Sequence, residues 1–261
     1  MSKLESQAPA LNSSVNLYIA RCDEFNESQA ALCKPLLSAD ERERNARYRF
    51  AKDRHRDVLA RSLLRTVLGE YLQLDPKSLA FEKGEHGKPE LINDQENTAI
   101  SDLQFNLSHA GEWVVLAVAK QRVGIDIEFT PRQNDVMAIA TRYFFGDEIG
   151  ELHRFPEAEQ RQRFFDYWTL KEAYMKARGE GISLGLDNFG FSVVDNPNIS
   201  IQINEGLNDN PKQWQFYCVT PDPDYRLSLA INTVDRPKIN CQQRVPLHSA
   251  KDLDWTDTLF R

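Results

Sequence analysis

The chain has 261 residues, enough for one large domain or two modest ones, each with its own core. Hydrophobic residues make up 41% and charged residues 27%, an ordinary globular composition, and a net charge of −7 argues against a general nucleic-acid binder. The longest apolar run, Trp113 to Ala119, is too short to cross a bilayer, and the opening MSKLESQAPALNSSV has no apolar leader core, so no membrane or secreted protein is expected.

The four cysteines, Cys22, Cys33, Cys218 and Cys241, lack metal-ligand spacing; reduced thiols in the cytoplasm are the expectation. Between residues 41 and 65, nine Lys or Arg stand against four Asp or Glu. A basic patch on an acidic chain suits a compact anion, such as a phosphorylated small molecule. A solvated helix face laced with ion pairs is the plainer alternative. Residues 53–72 read as a helix capped by Asp53, with Ala60, Leu63, Leu64, Val67 and Tyr71 as its apolar face. Arg56 then falls in the first turn, where a cation opposes the helix dipole unless an anion is bound there too. A connector punctuated by Pro and Gly follows, with a short strand at residues 79–82, and NDQENTAI is a polar loop.

FNLSHAGEWVVLAVAK reads as strand, turn and buried strand, and VGIDIEFT, residues 123–130, follows at once. Strand alternation puts Val123, Ile125, Ile127 and Phe129 on one side as core, and Gly124, Asp126 and Glu128 on the other. The two carboxylates then lie roughly 6.5 Å apart along the strand. Like charges that close repel. A divalent cation would hold both ionised, and so would open solvent.

The second half repeats the order of the first. A helix at 135–143 leads to FFGDEIGEL, which parallels PLLSADERER, and a long helix at 161–178 parallels 53–72. Strands follow at FGFSVVD, NISIQIN, WQFYCVT and RLSLAINTV. The expected fold is α+β: a pseudo-two-fold pair of similar halves, residues 1–122 and 123–235, with the site in the cleft between them. Residues 236–261, with Pro237 and Pro246 and little periodicity, are expected to pack over the surface.

In YWTLKEAYMKARGEGI, helical spacing puts Trp168, Glu172 and Lys176 on one stripe, with Lys171 one step round. Alone, Glu172 and Lys176 would be a surface ion pair. Combined with the strand, Asp126, Glu128 and Glu172 suit three oxygen ligands of Mg²⁺, with Lys171 and Lys176 beside them for phosphate charge.

Taken jointly, FNLSHAGEWV, VGIDIE and WTLKEAYMKARGEGI resemble the larger, surfactin-type 4′-phosphopantetheinyl transferases. GKPEL and LLSADERERNARYRFAKDRHR support the likeness, whose order and spacing run over about residues 35–235. The resemblance implies two similar α+β halves, coenzyme A as co-substrate, and Mg²⁺ or Mn²⁺ in the cleft. It implies transfer of the 4′-phosphopantetheine arm to a serine of an apo acyl or peptidyl carrier protein, with release of 3′,5′-ADP, by a cytoplasmic monomer.

The likeness casts Asp126, Glu128 and Glu172 as metal ligands, Glu172 as acceptor of the serine proton, and Lys176 as the lysine beside the pyrophosphate. Lys171 and Trp168 belong to the same signature, Trp168 as a packing residue. Ser108 and His109 would meet the coenzyme's phosphates, Arg44 and Arg56 its 3′-phosphate, and Lys88 with Pro89 its adenine side. Glu41 stands where several relatives carry a basic residue, and Arg42 is expected to compensate. Carrier docking is expected around Phe144, Phe145 and Met175. A Mg²⁺-dependent phosphohydrolase or nucleotidyl transferase, and a non-enzymatic coenzyme A-binding module, are the alternative readings.

Overall fold

The computed structural model describes residues 11, 14–92, 102–193, 199–253 and 255; the loop expected at 93–100 lies outside them. The first half runs β1 (Ser14–Arg21), α1 (Glu27–Cys33), α2 (Ala39–Arg47), α3 (Ala51–Leu72), β2 (Phe81–Lys83), β3 (Pro89–Leu91), β4 (Gln104–Ala110) and β5 (Trp113–Ala119). The second runs β6 (Val123–Phe129), α4 (Val136–Tyr143), α5 (Gly146–Leu152), α6 (Glu157–Arg178), β7 (Phe189–Ser192), β8 (Ser200–Ile203), β9 (Trp214–Val219) and β10 (Tyr225–Asn232). Among the described residues each half is thus one strand, three helices and four strands. The sheet partners match as well: β1–β5–β4 in one half and β6–β10–β9 in the other, all antiparallel. The fold is α+β with two similar halves.

Four layers stack through the molecule. The apolar face of α3, with Leu59, Leu63, Val67 and Leu68, covers Tyr18, Val114, Leu116 and Val118 of the first sheet. The other face of that sheet, with Leu17, Ile19, Val115 and Ala117, packs on Val123, Ile125, Ile127, Leu227 and Leu229 of the second. Strand β5 serves both cores, so all seven of its residues are buried. On the far face of the second sheet lies α6, through Leu170, Ala173, Tyr174 and Ala177.

Gly124 sets how closely α6 rests on that sheet. A Cβ at this position would stand 2.0 Å from the Ala173 carbonyl oxygen and 2.4 Å from the Ala177 nitrogen. Only glycine lets the helix backbone lie directly on β6.

Several sequence expectations change. Helix α3 starts two residues earlier than expected and is capped at Phe50; Asp53 lies inside the first turn and pairs with Arg56 at 2.9 Å. Arg56 therefore sits one turn deeper than the helix terminus. Helix α6 likewise begins earlier, at Glu157. Strand β1, which opens the fold, escaped the sequence reading. The tail does not merely lie on the surface. Strand β11 (Lys238–Val245) runs parallel to β1, and β12 (Ser249–Leu253) pairs with β11. Ile239 and Cys241 enter the middle core, and their polar neighbours Asn240 and Gln242 alternate with them. Among the described residues no helix is long and apolar enough to cross a membrane.

Candidate active site

The two halves meet where β4 lies beside β6. The join is made by side chains. The Asn106 Oδ1 accepts the Ile125 N–H at 2.8 Å, and the Ser108 Oγ accepts the Ile127 N–H at 3.3 Å. A cleft of about 500 Å³ opens here, walled by Pro89, Ser108, His109, Asp126, Glu128, Trp168, Glu172 and Lys176, with Arg61, Asn106 and Arg132.

Ser108 links the halves chemically. Its hydroxyl donates to Asp126 Oδ1 at 2.9 Å and accepts from Lys176 Nζ at 3.2 Å. Lys176 Nζ also donates to the same Asp126 oxygen at 2.6 Å. The second carboxylate oxygen, Asp126 Oδ2, is buried without a partner. Glu128 stands 2.9 Å from Arg132, and beside it the Trp168 ring stacks on Phe144 and Phe164.

Two of the carboxyls here, Glu128 and Glu172, hold their protons more tightly than free carboxyls do. Burial raises the Glu128 pKa, and the Asp126 charge adds to it. Glu172 is pushed up to about 7 by burial and then by Asp126; Lys176 opposes the shift and Glu128 adds to it. A carboxyl poised there can accept a proton near neutral pH.

Among the described residues no three His, Cys, Asp or Glu side chains stand ready as a metal cluster. The chemistry of the set nevertheless fits a hard divalent cation. All the donors are oxygen, Asp126 Oδ2 and Glu128 Oε2 are buried without a hydrogen bond, and a cation would offset the burial and the mutual repulsion that raise Glu128 and Glu172.

The remaining expected residues divide. His109 stands at the exposed end of β4. Desolvation of its ring by the surrounding protein disfavours its imidazolium, as do the charges of Arg56, Lys176 and Arg61. Arg56 lies behind this wall, donating to Gly111 O at 3.0 Å and to Asp53. Arg44 lines a neighbouring cavity of about 700 Å³ that shares Arg61, Gly87 and Pro89 with the cleft. Lys88 lines another, of about 490 Å³, with Arg122 and Arg178, and burial lowers its pKa.

Lys171 is not on the cleft at all. It is wholly buried, 2.8 Å from Glu148, and donates to the carbonyls of Leu186 and Phe189. It ties α6 to α5 and to the chain entering β7, so the expected coenzyme contact falls away. Phe144 and Met175 are also buried, in the core that packs α4 and α6 together, and Phe145 is half-buried against Gly190 of β7. They cannot form the expected docking face.

Glu41 has a structural role. It closes a capping box with Ser38 and pairs with buried Arg65 at 2.8 Å. Arg42 turns to the Leu37 carbonyl and does not compensate.

Three wall residues escaped the sequence reading. Asn106 carries a strand signal, two positions before Ser108 on the same face. Arg132 lies four residues after Glu128. Arg61 shares a helix stripe with Leu64.

Fold and site together define an α+β protein with a mixed acidic and basic cleft between two like halves. Residues 122–230 match the family model described as the 4′-phosphopantetheinyl transferase superfamily, and residues 25–121 match that of the 4′-phosphopantetheinyl transferase N-terminal region. A 4′-phosphopantetheinyl transferase of Bacillus subtilis is 34% identical over 206 residues, covering 76% of this chain and 88% of that one. The 4′-phosphopantetheinyl transferase Sfp of Bacillus subtilis (strain 168) is 33% identical over 203 residues, covering 78% and 85%. The 4′-phosphopantetheinyl transferase HetI of Nostoc sp. is 37% identical over 174 residues, covering 66% and 72%. The chain belongs to the 4′-phosphopantetheinyl transferase superfamily and is an enzyme of that class.

Proposed function

We propose that the cleft binds coenzyme A and transfers its 4′-phosphopantetheine arm to a serine of an apo acyl or peptidyl carrier protein. The serine oxygen bonds to the pantetheine-side phosphorus. The bond from that phosphorus to the bridging oxygen breaks, and 3′,5′-ADP leaves. The serine proton passes to Glu172, directly or through water, because burial pushes that carboxyl up to about 7, where it can take a proton near neutral pH. Lys176, beside Asp126 and Ser108, offsets charge on the departing phosphate. Asp126, Glu128 and Glu172 would hold Mg²⁺, or Mn²⁺, which supplies Lewis-acid polarisation of the phosphorus when bound.

One observation carries this reading. Three carboxylates and Lys176 share a single cleft with Ser108 and His109 of the other half. One chain supplies both walls, which supports a monomer. The net charge and the apolar runs support a cytoplasmic protein free of nucleic acid and membrane.

The test is incubation with coenzyme A, Mg²⁺ and a purified apo carrier. Mass spectrometry should show the carrier heavier by one phosphopantetheine, with one equivalent of 3′,5′-ADP, and chelation should stop the reaction. Cleavage of coenzyme A without a carrier would point to a phosphohydrolase. Binding without transfer would point to a coenzyme-binding module.

A further inference from the structure

Strand β10 places two donors directly opposite the strand carboxylates. Ser228 pairs with Asp126 across the ladder, and Arg226 pairs with Glu128. Side chains so paired share a face, with their Cβ atoms about 5 Å apart. Either donor could be taken up by the carboxylate beside it. Both are spent on α6 instead. The Ser228 hydroxyl stands 2.7 Å from Thr169 Oγ1, and Thr169 gives its own proton to the Phe165 carbonyl at 2.8 Å, so Ser228 is the donor. Arg226 donates through Nε to Asp166 Oδ1 at 2.9 Å, and through Nη1 to the Tyr225 carbonyl at 3.0 Å. On β6, Asp126 Oδ2 and Glu128 Oε2 are left buried without a hydrogen bond.

Two guanidinium groups flank Glu128, and they differ in burial. The Arg132 side chain is 52% exposed, so its pair with Glu128 is weak and its charge can swing into water. The Arg226 side chain is 8% exposed. If Arg226 turned to Glu128, an incoming cation would have to break a buried pair and leave a guanidinium unpaired inside the protein, at high cost. Asp166 removes that competitor. It takes Arg226 on the α6 side of the layer, with Arg163 at 3.6 Å and the Cys218 thiol at 3.7 Å completing its surroundings.

We propose that Asp166 is a positioning residue for the divalent cation: it holds Arg226 away from Glu128 and so keeps that carboxylate free to bind the ion. This rests on the reading of Asp126, Glu128 and Glu172 as the cation's ligands. Asp166 touches neither ion nor substrate and acts through Arg226.

The test is titration of the full chain with Mn²⁺ in the presence of coenzyme A. Free Mn²⁺ is read by electron paramagnetic resonance against a coenzyme A blank. Asp166→Ala should weaken Mn²⁺ about ten- to a hundred-fold, the usual loss when the group behind a metal ligand is removed. Adding Arg226→Met should bring the affinity back to within about three-fold of wild type, because no guanidinium is left to reach Glu128. Asp166→Asn keeps the side chain's shape and one acceptor for Arg226, and so guards against loss of folding. It should weaken Mn²⁺ several-fold, and Arg226→Met should relieve that loss too. Metal-free coenzyme A affinity, which a loosened α6 would lower, should stay as in the wild type. Wild-type Mn²⁺ affinity in a folded Asp166 variant, a double variant no tighter than its parent, or a parallel fall in metal-free coenzyme A binding would overturn the proposal and leave the cation reading intact. A wild-type chain that takes up no Mn²⁺ would overturn both.

Discussion

Gly124→Ala is the sharpest probe of how the site is assembled. The added methyl carbon would lie 2.0 Å from the Ala173 carbonyl oxygen, about 1.4 Å short of ordinary contact, and 2.4 Å from the Ala177 nitrogen. Both atoms are backbone, so no side chain can swing aside. Helix α6 must lift from β6, or β6 must bend into the middle core. Overpacking of this kind costs about 1–3 kcal/mol. The functional loss should be larger in proportion. Lys176 and Glu172 ride on α6, whereas Asp126 and Glu128 ride on β6. A lift of about 1 Å breaks the 2.6 Å contact between Lys176 and Asp126 and misplaces the carboxyl trio. Such misplacement costs on the order of a hundred-fold in rate. Denaturant unfolding should show a stable but weakened fold, and carrier transfer should fall about a hundred-fold. Coenzyme A affinity should change less, because Ser108 and His109 of the cleft wall lie on the other half. Wild-type stability and rate in Gly124→Ala would refute the claim that α6 rests on β6 backbone to backbone.

Two further outcomes are expected. The Glu172 carboxyl has a pKa of about 7 in the folded chain against an ordinary value near 4.5, so the native state holds its proton more tightly than the unfolded state does. The stability this contributes is complete below about pH 4.5 and is lost as pH rises through 7, up to roughly 3 kcal/mol. Melting without metal should therefore drop across that window in the wild type and stay flatter in Glu172→Gln; identical profiles would sink the assignment. Lys171→Met should leave Glu148 buried and unpaired and cost about 3–5 kcal/mol. Lys171→Met with Glu148→Leu should recover most of that, with transfer activity near wild type; an inactive, stable double variant would return Lys171 to the site.

The sequence carried the second half of the molecule better than the first. The alternation in VGIDIEF separates the apolar face from the cleft face, because β6 has one face against the first sheet and the other against α6. The stripe of Trp168, Glu172 and Lys176 also reaches the cleft, since helical spacing alone fixes which side chains share a face. Lys171 failed for the same reason: one step round the helix is a quarter-turn, enough to carry its ammonium into a buried pair with Glu148. That partner lies 23 positions away in sequence, and no local pattern announces it. Arg61 was hidden among nine basic residues of one segment. What sets it apart is its place on the cleft wall, which only the packing reveals. The tail was missed because β11 has one covered face, and its Ile239 and Cys241 are too few to stand out from polar neighbours.

That tail explains why two like halves give one cleft of this kind. Strands β1 and β6 hold equivalent places, each pairing on one side within its own antiparallel trio. The outer edge of β6 meets β4, and there the Asn106 and Ser108 side chains stand in for a backbone ladder, leaving room for a ligand between the halves. The outer edge of β1 meets β11, whose parallel ladder runs from Ser14 opposite Lys238 to Ile19 opposite Gln243. A continuous ladder closes that edge and leaves no gap for polar side chains to line. The same strand that protects β1 from pairing with another chain thereby confines the chemistry to the β4–β6 seam, where Gly124 lets α6 bring Glu172 and Lys176 down beside Asp126.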